Sequence, residues 1–265
     1  MSSYPPGPDA QFAWSARLVV RRVLFFAALV AIWEAVCRME LWPPYMFPAP
    51  SAVAETIAAG VRDGSFLIGI AGSLKRLIEG YAIATVIGLT LGLLLARVRW
   101  LKETLGLLVM GLQALPSICW LPLALLWFGL NEKAILFVVV MGAVLSIAQA
   151  AEDGVRNTNP LYLRAARNLG ARGWRLYSSV ILPAALPSIV TGMKLGWSFA
   201  WRSLMAGELL YSLPGLGNLL MMGRELNDMS QVVAVIIVII AIGLFTDQFI
   251  FGVWERKVRR RWGLL

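Results

Sequence analysis

The feature that most restricts this chain is a series of apolar stretches at residues 23–41, 77–96, 104–129, 134–151, 184–210 and 232–253, the second extended toward its N-terminus through 68–75. A helix needs about 20 largely apolar residues to cross the roughly 30 Å hydrocarbon layer of a bilayer, and each stretch comes close to or exceeds that length. Hydrophobic residues supply 59% of the chain and charged residues only 15%, where a soluble domain carries about 25% charged residues. The expected fold is therefore all-α, a polytopic membrane protein with six transmembrane helices. Its 265 residues leave no room beside them for a large soluble catalytic domain.

Charge orients the spans. The chain holds 24 Lys and Arg against 15 Asp and Glu, a net +9, and the excess is clustered. Arg17, Arg21 and Arg22 precede the first span, and Arg97, Arg99 and Lys102 separate the second from the third. Arg156, Arg164, Arg167, Arg172 and Arg175 lie between the fourth and fifth, and Arg256, Lys257, Arg259, Arg260 and Arg261 close the chain. With six spans all four clusters fall on one side. Lys and Arg beside a span resist translocation, so that side is cytoplasmic and holds both termini. The segments so assigned contain 16 basic and 5 acidic residues, and the rest of the chain 8 and 10. The basic excess is thus a topological signal in a protein whose surroundings are membrane lipid, and no nucleic-acid-binding module accompanies it.

Residues 1–16 are polar and Pro-rich and lack the apolar core and cleavage site of a secretory signal. They are expected to form a disordered cytoplasmic tail, residues 17–254 a single transmembrane domain, and residues 255–265 a basic cytoplasmic tail. Cys37 and Cys119 lie far apart in apolar stretches and read as small buried hydrophobes rather than a disulfide. The chain has no histidine and no cysteines or carboxylates at ligand spacing, which excludes a His-based metal site and a His general base.

One connection differs from the others. Some 30 residues, about 152–183, separate the fourth and fifth spans, whereas the other cytoplasmic loop is under ten. Within it Asn157-Thr-Asn-Pro160 signals a helix start, with Asn159 suited to cap and Pro160 to the first turn. Leu161, Leu163, Ala165, Ala166, Leu169, Trp174, Leu176 and Tyr177 then alternate with arginines. Gly170 and Gly173 divide the segment into two short helices, and Pro183 and Pro187 bend the approach to span five. The result is an amphipathic helical pair on the cytoplasmic face. Its apolar stripe either floats among lipid headgroups or docks into a protein.

The residues themselves decide. Ala165, Ala166, Gly170, Leu182 and Pro183, with Val180 in place of Ile, resemble the EAA loop of bacterial ATP-binding-cassette importer permeases. That loop reads Glu-Ala-Ala, three residues, Gly, nine residues, Ile, one residue, Leu-Pro. Arg164 occupies the position of the acidic residue, a departure that bears on any ion pair made by that carboxylate but not on docking in general. Other segments resemble the nitrate, sulfonate and taurine subgroup of these permeases. They are Met46-Phe-Pro-Ala-Pro-Ser-Ala-Val53, Ser73-Leu-Lys-Arg76, Gly80-Tyr-Ala82, Gly88, Leu91-Gly-Leu-Leu94, Leu115-Pro116, Leu121-Pro122, Leu126-Trp-Phe-Gly129, and Leu182-Pro-Ala-Ala-Leu-Pro-Ser-Ile189 with Thr191-Gly192. In order along the chain after Met39, they are specific for the family.

The resemblance implies the type I importer permease fold in the bacterial inner membrane, with a second permease copy as partner in a homodimer. It also implies two cytoplasmic ATPase subunits that bind ATP and Mg, and an extracytoplasmic solute-binding protein in which selectivity largely resides. The coupling loop would span residues 157–183, with Leu161, Arg164, Ala165, Ala166, Arg167, Leu169, Gly170, Trp174, Leu182 and Pro183 meeting the ATPase. The cargo implied is a small anionic solute of the sulfonate, taurine, nitrate or bicarbonate class; the subgroup also handles some pyrimidines. The chain itself contains no Gly-x-x-x-x-Gly-Lys-Ser/Thr phosphate loop, so it is not the ATPase. No enzymatic role and no cofactor of its own are expected. A stand-alone secondary transporter or channel is the alternative, but it would leave the loop without a purpose, and no inverted repeat is evident.

Polar groups inside spans mark a pathway first, because a charge facing lipid costs at least about 2.5 kcal/mol at the helix centre. Arg202 and Glu208 in span five, Gln113, Ser117 and Trp120 beside the Pro116 and Pro122 kinks of span three, and Ser146 and Ser198 are the candidates. For Arg202 the rival reading is a structural pair with a carboxylate such as Glu208. Lys194, Gln149 and Asp247 are further polar groups at membrane depth, Asp247 fitting a dimer contact, gating or a plain structural bond. Glu34 with Arg38, and Lys75, Arg76 and Glu79 among themselves, are read as pairs that neutralise one another.

Overall fold

Apolar runs punctuated by Pro and Gly fold as helices in this computed structural model, which describes residues 8–43, 45–211 and 213–261, with side chains from residue 20 onward. Among the described residues there is no strand. Helix α1 (Pro8–Arg38) carries the first apolar stretch and is followed by the short α2 (Pro50–Arg62) and the long α3 (Ser65–Arg97). A turn of helix, α4 (Arg99–Leu101), passes through a π-helical segment, Lys102–Gly106, into α5 (Leu107–Gln113); a 3-10 turn, Ser117–Trp120, then opens α6 (Leu121–Phe128). Helix α7 (Glu132–Arg156) leads to α8 (Pro160–Asn168), α9 (Gly173–Leu176), a second π segment, Tyr177–Ile181, and α10 (Leu182–Glu208). The chain ends with α11 (Leu216–Glu225), α12 (Met229–Phe245), a third π segment, Thr246–Phe251, and α13 (Gly252–Arg261).

Four runs are long and apolar enough to span a bilayer: Ser65–Arg97, Glu132–Arg156, Gly173–Glu208 and Met229–Arg261. A fifth is possible if Arg99–Gln113 and Ser117–Phe128 are one broken span. Helix α1 covers the first expected stretch but is not among them, and Arg21, Arg22, Glu34 and Arg38 lie along it. The third stretch, expected as a single kinked span, turns through 104° at residues 114–116. Pro116, with ψ of 134°, cannot continue α5 and donates no N–H to it. Conversely, α9 is not separate from span five. It runs through the Tyr177–Ile181 π segment into α10, where the i→i+5 register accommodates Pro183, which has no N–H to give.

The structure moves several boundaries. Residues 8–16, assigned to a disordered tail, belong to α1, and 1–7 lie outside the described residues. Most of the C-terminal basic tail, to Arg261, is helix α13, while 262–265 lie outside the described residues. Two further helices, α2 and α11, lie between the apolar stretches. Both cysteines are free, but neither is fully buried: Cys37 is half-buried and Cys119 is exposed on the 3-10 turn.

Helix α7 is the axis of the bundle. Some 61% of its apolar window is buried, against 17–28% in the other spans, and α3 and α10 flank it. Small residues allow the close approach. On the α3 side a Cβ at Gly80 would stand 2.6 Å from Val139, and one at Gly88 would stand 2.8 Å from the Val144 carbonyl. On the α10 side Gly192 abuts Ala150, Gly196 abuts Ile147, and Gly142 of α7 abuts Ser203. Ser188 Oγ also donates to the Ala150 carbonyl at 3.1 Å. Gly192→Val should therefore overpack the α7–α10 seam and cost about 1–3 kcal/mol. The expected result is a lower thermal unfolding midpoint in detergent micelles, and an unchanged midpoint would contradict the tight seam.

Ion pairs show which charges share an end of the bundle. Lys102 meets Glu152 at 2.6 Å, and Arg156 meets the same carboxylate at 3.2 Å. The Arg97 guanidinium lies 5.7 Å from the centre of the Tyr177 ring. Lys194 of α10 reaches Asp247 at 3.3 Å and Glu255 at 3.7 Å. Asp247 thus has a structural partner within the chain. Glu34 pairs with Arg38 at 3.1 Å, as its spacing implied.

Candidate functional site

Three features carry chemistry: a cavity at the break in the third stretch, the α8–α9 segment, and a buried charge cluster at the opposite end of α7 and α10.

The cavity, about 370 Å³, forms where α5 stops and the chain turns at Pro116, between that break and helices α7 and α10. Its wall includes Gln113 and Ser117 from the break, Trp120 from the 3-10 turn, Ser146 from α7, and Phe199 and Arg202 from α10. Five of the seven residues singled out for a pathway are thereby brought to one place. The side chain of Trp120 is oriented by an edge-on contact with Phe137, centroids 6.3 Å apart. The Arg202 guanidinium lies over the Phe199 ring at 5.4 Å, and no acidic residue lines the cavity. Ser198 is half-buried on α10 and is not part of this wall.

Glu208 is a correction. It is fully buried and does not border the cavity. Nor does it pair with Arg202: Arg76 Nη1 donates to its Oε1 at 2.6 Å, while Ser73 Oγ and the Gly217 N–H donate to Oε2 at 2.7 and 3.0 Å. Arg76, read as one of a local triad with Lys75 and Glu79, instead bridges Glu208, Glu132 at 3.1 Å and the Pro214 carbonyl at 2.8 Å. Only Lys75 and Glu79 keep the local pairing, at 3.9 Å and well exposed. The Leu216 N–H donates to Ser73 Oγ at 2.8 Å, so the cluster also seats the start of α11. Negative charge at a helix N-terminus is favourable there. Gly215 and Gly217 let this backbone approach, since a Cβ at either would stand within 2.7 Å of Glu208. The sequence signal for this arrangement is Glu208 followed by Leu213-Pro-Gly-Leu-Gly217, small residues where a backbone must close on a carboxylate. Ser73 and Arg76 carried no local signal for it.

The α8–α9 segment forms as its capping residues imply. Asn159 Oδ1 accepts from the Leu161 N–H at 2.9 Å, and Pro160 sits in the first turn. At the other end Gly170 adopts φ +83°. The Ala171 N–H bonds the Ala166 carbonyl at 2.9 Å and the Gly170 N–H bonds the Arg167 carbonyl at 3.0 Å, a Schellman closure that satisfies the last carbonyls. Ala166 is the one α8 residue buried against the bundle. Leu161, Leu169 and Trp174 project outward at 66%, 89% and 69% exposure, between the exposed Arg164, Arg167, Arg172 and Arg175. Ala165 is exposed, and Leu182 and Pro183 are half-buried at the start of α10. Trp174 stacks on Tyr177, centroids 5.9 Å apart, which fastens the segment to the end of α3 through Arg97. Leu161, Leu169 and Trp174 thus form an outward apolar group on a turn capped at both ends.

Comparison with known proteins agrees with this architecture. Residues 85–260 match the family described as the inner membrane component of binding-protein-dependent transport systems. The chain is 29% identical over 251 residues to the taurine transport system permease protein of Escherichia coli (strain K12), covering 93% of this chain and 90% of that protein. It is 33% identical over 192 residues to the bicarbonate transport system permease protein of Synechococcus elongatus, covering 72% and 69%. Among solved structures, a chain of the MetNI methionine ABC transporter in inward-facing conformations superposes with a TM-score of 0.60 at 20% identity, over 73% of this chain and 96% of that one. At that identity the likeness concerns the fold.

Proposed function

The chain belongs to the family of inner membrane components of binding-protein-dependent transport systems, and from that premise we propose that it carries a small oxyanion-bearing solute into the cytoplasm, driven by ATP hydrolysis in a partner subunit. The solute class is supported by the taurine and bicarbonate systems to which its relatives belong. Six spans, with α1 as the first and both termini cytoplasmic, complete the topology, and two copies of the chain frame the route with a binding protein on the outer side. Gln113, Ser117, Trp120, Ser146 and Arg202 line that route where the third stretch breaks.

The observation that carries the coupling role is the exposed α8–α9 segment, placed between the two helices that pack most tightly in the molecule. It is capped at both ends and continuous, through its π segment, with α10. A displacement imposed on α8 by an ATPase subunit would be passed to α7 and α10 as a rigid movement instead of being absorbed in a loop. Arg164 changes the ion pairing available at that contact but leaves Leu161, Leu169 and Trp174 as its apolar anchors.

The test is reconstitution of the permease with its ATPase and binding protein in proteoliposomes. ATP-dependent uptake of the solute and stimulation of ATP hydrolysis by the loaded binding protein are expected. Solute flux through the permease alone, indifferent to ATP and to a partner, would overturn the reading in favour of a channel.

A further inference from the structure

We infer that the cavity at the break between α5 and α6 is an anion-binding site of the permease itself, built on Arg202, so that the membrane subunit selects for negative charge independently of any binding protein. The inference rests on the transport reading above and adds a recognition step to it.

The argument begins from charge. Arg202 lies two turns of helix from the buried end of α10, yet among the described residues no carboxylate pairs with it. The nearest acid in sequence, Glu208, is committed to Arg76, Ser73 and Gly217. Arg202 is exposed on its face of α10, open to the cavity, and a guanidinium keeps its charge there. Stacking on Phe199 at 5.4 Å relieves its charge only in part and leaves its N–H edge free for a ligand. The cost of an intramembrane cation without a counter-charge is what an anionic ligand would remove.

The rest of the wall is complementary. Gln113, Ser117, Trp120 and Ser146 all offer N–H or O–H donors to the same space, and none makes a side-chain hydrogen bond among the described residues. Gln113, Ser117 and Ser146 can also accept, but with a cation in the wall and no carboxylate the balance favours an acceptor-rich group: a sulfonate, a carboxylate or bicarbonate. At about 370 Å³ the cavity is of the size that holds a small ligand with some water.

The experiment uses the intact assembly, permease with ATPase subunits, in lipid nanodiscs without binding protein. Methanesulfonate and bicarbonate are titrated calorimetrically, with dimethyl sulfone as the uncharged comparison. Saturable binding of at least one anion and none of the sulfone is expected. Arg202→Gln should weaken that binding by about tenfold to a hundredfold, the range for a lost charge-assisted hydrogen bond. Arg202→Lys, which keeps the charge but not the fork, should fall between the two. Ser117→Ala, a milder change at the break, should weaken it several-fold and guards against a folding defect in the Arg202 variants. Absence of any saturable anion binding, or equal binding by wild type and Arg202→Gln, overturns the inference. Failure of the transport reading would look different: no ATP-driven uptake by the complete wild-type system, whatever the nanodisc titrations show.

Discussion

Glu208→Ala should be among the most damaging single substitutions in the protein, costing about 3–5 kcal/mol, because it strands the buried charge of Arg76. Arg76 is 5% exposed and Glu208 0%. With the carboxylate gone, the guanidinium keeps only Glu132 and the Pro214 carbonyl, while Ser73 Oγ and the Gly217 N–H lose their acceptor. The start of α11 loses its seat at the same time. The expected observation is a large drop in the thermal midpoint of the detergent-solubilised protein, or loss of its monodisperse peak in size-exclusion chromatography. Glu208→Leu combined with Arg76→Leu should be less harmful than either change alone, since a buried pair replaced as a unit leaves no orphan charge. Equal and additive losses would show that the pair itself is not what holds this end together.

The second large effect concerns function rather than stability. Gly170→Pro should abolish solute-stimulated ATP hydrolysis and uptake while leaving the protein in the membrane. Gly170 sits at φ +83° and its N–H bonds the Arg167 carbonyl at 3.0 Å. Proline is confined to φ near −65° and has no N–H, so the closure of α8 opens and the outward Leu169 is no longer held. Apart from its chain neighbours nothing lies within 4 Å of a Cβ built at Gly170, so the defect is one of backbone conformation and not of crowding. Gly170→Ala should be milder, with strain of about 1–2 kcal/mol, and Gly170→Asn milder again. Ala166→Trp, at the one α8 position buried against the bundle, should reproduce the proline phenotype by lifting α8 away. Normal solute-stimulated hydrolysis in Gly170→Pro and Ala166→Trp would remove the α8–α9 segment from the coupling path.

These two sites differ in how far they could be read from the chain. The α8–α9 segment is local: Asn159, Pro160 and Gly170 act within one turn of themselves, and the structure forms the cap and the closure that they imply. The cavity was half legible. Prolines 116 and 122 mark a break, and the polar residues beside it point to a lined space, but a kink and a 104° turn have the same sequence signature. The Arg76–Glu208 pair was not legible. Its partners are 132 residues apart, and local spacing offered Arg76 a nearer carboxylate, Glu79, at i,i+3.

Taken alone, the amino-acid sequence determined the helical membrane class, the approximate extent of four long apolar helices and the anatomy of the connecting segment. Each of these depends on hydropathy over one helix length or on bonds within a turn. Only the tertiary structure decided which polar groups are structural and which are free. Glu208 and Arg202 are six residues apart on one helix, and both read as intramembrane charges of the same kind. Packing turns the first toward α3 and α11, where three donors consume it, and leaves the second facing a cavity without an acid. The meaning of a charge in a membrane depends on its neighbours across the bundle, and those are set by how α3, α7 and α10 close on one another.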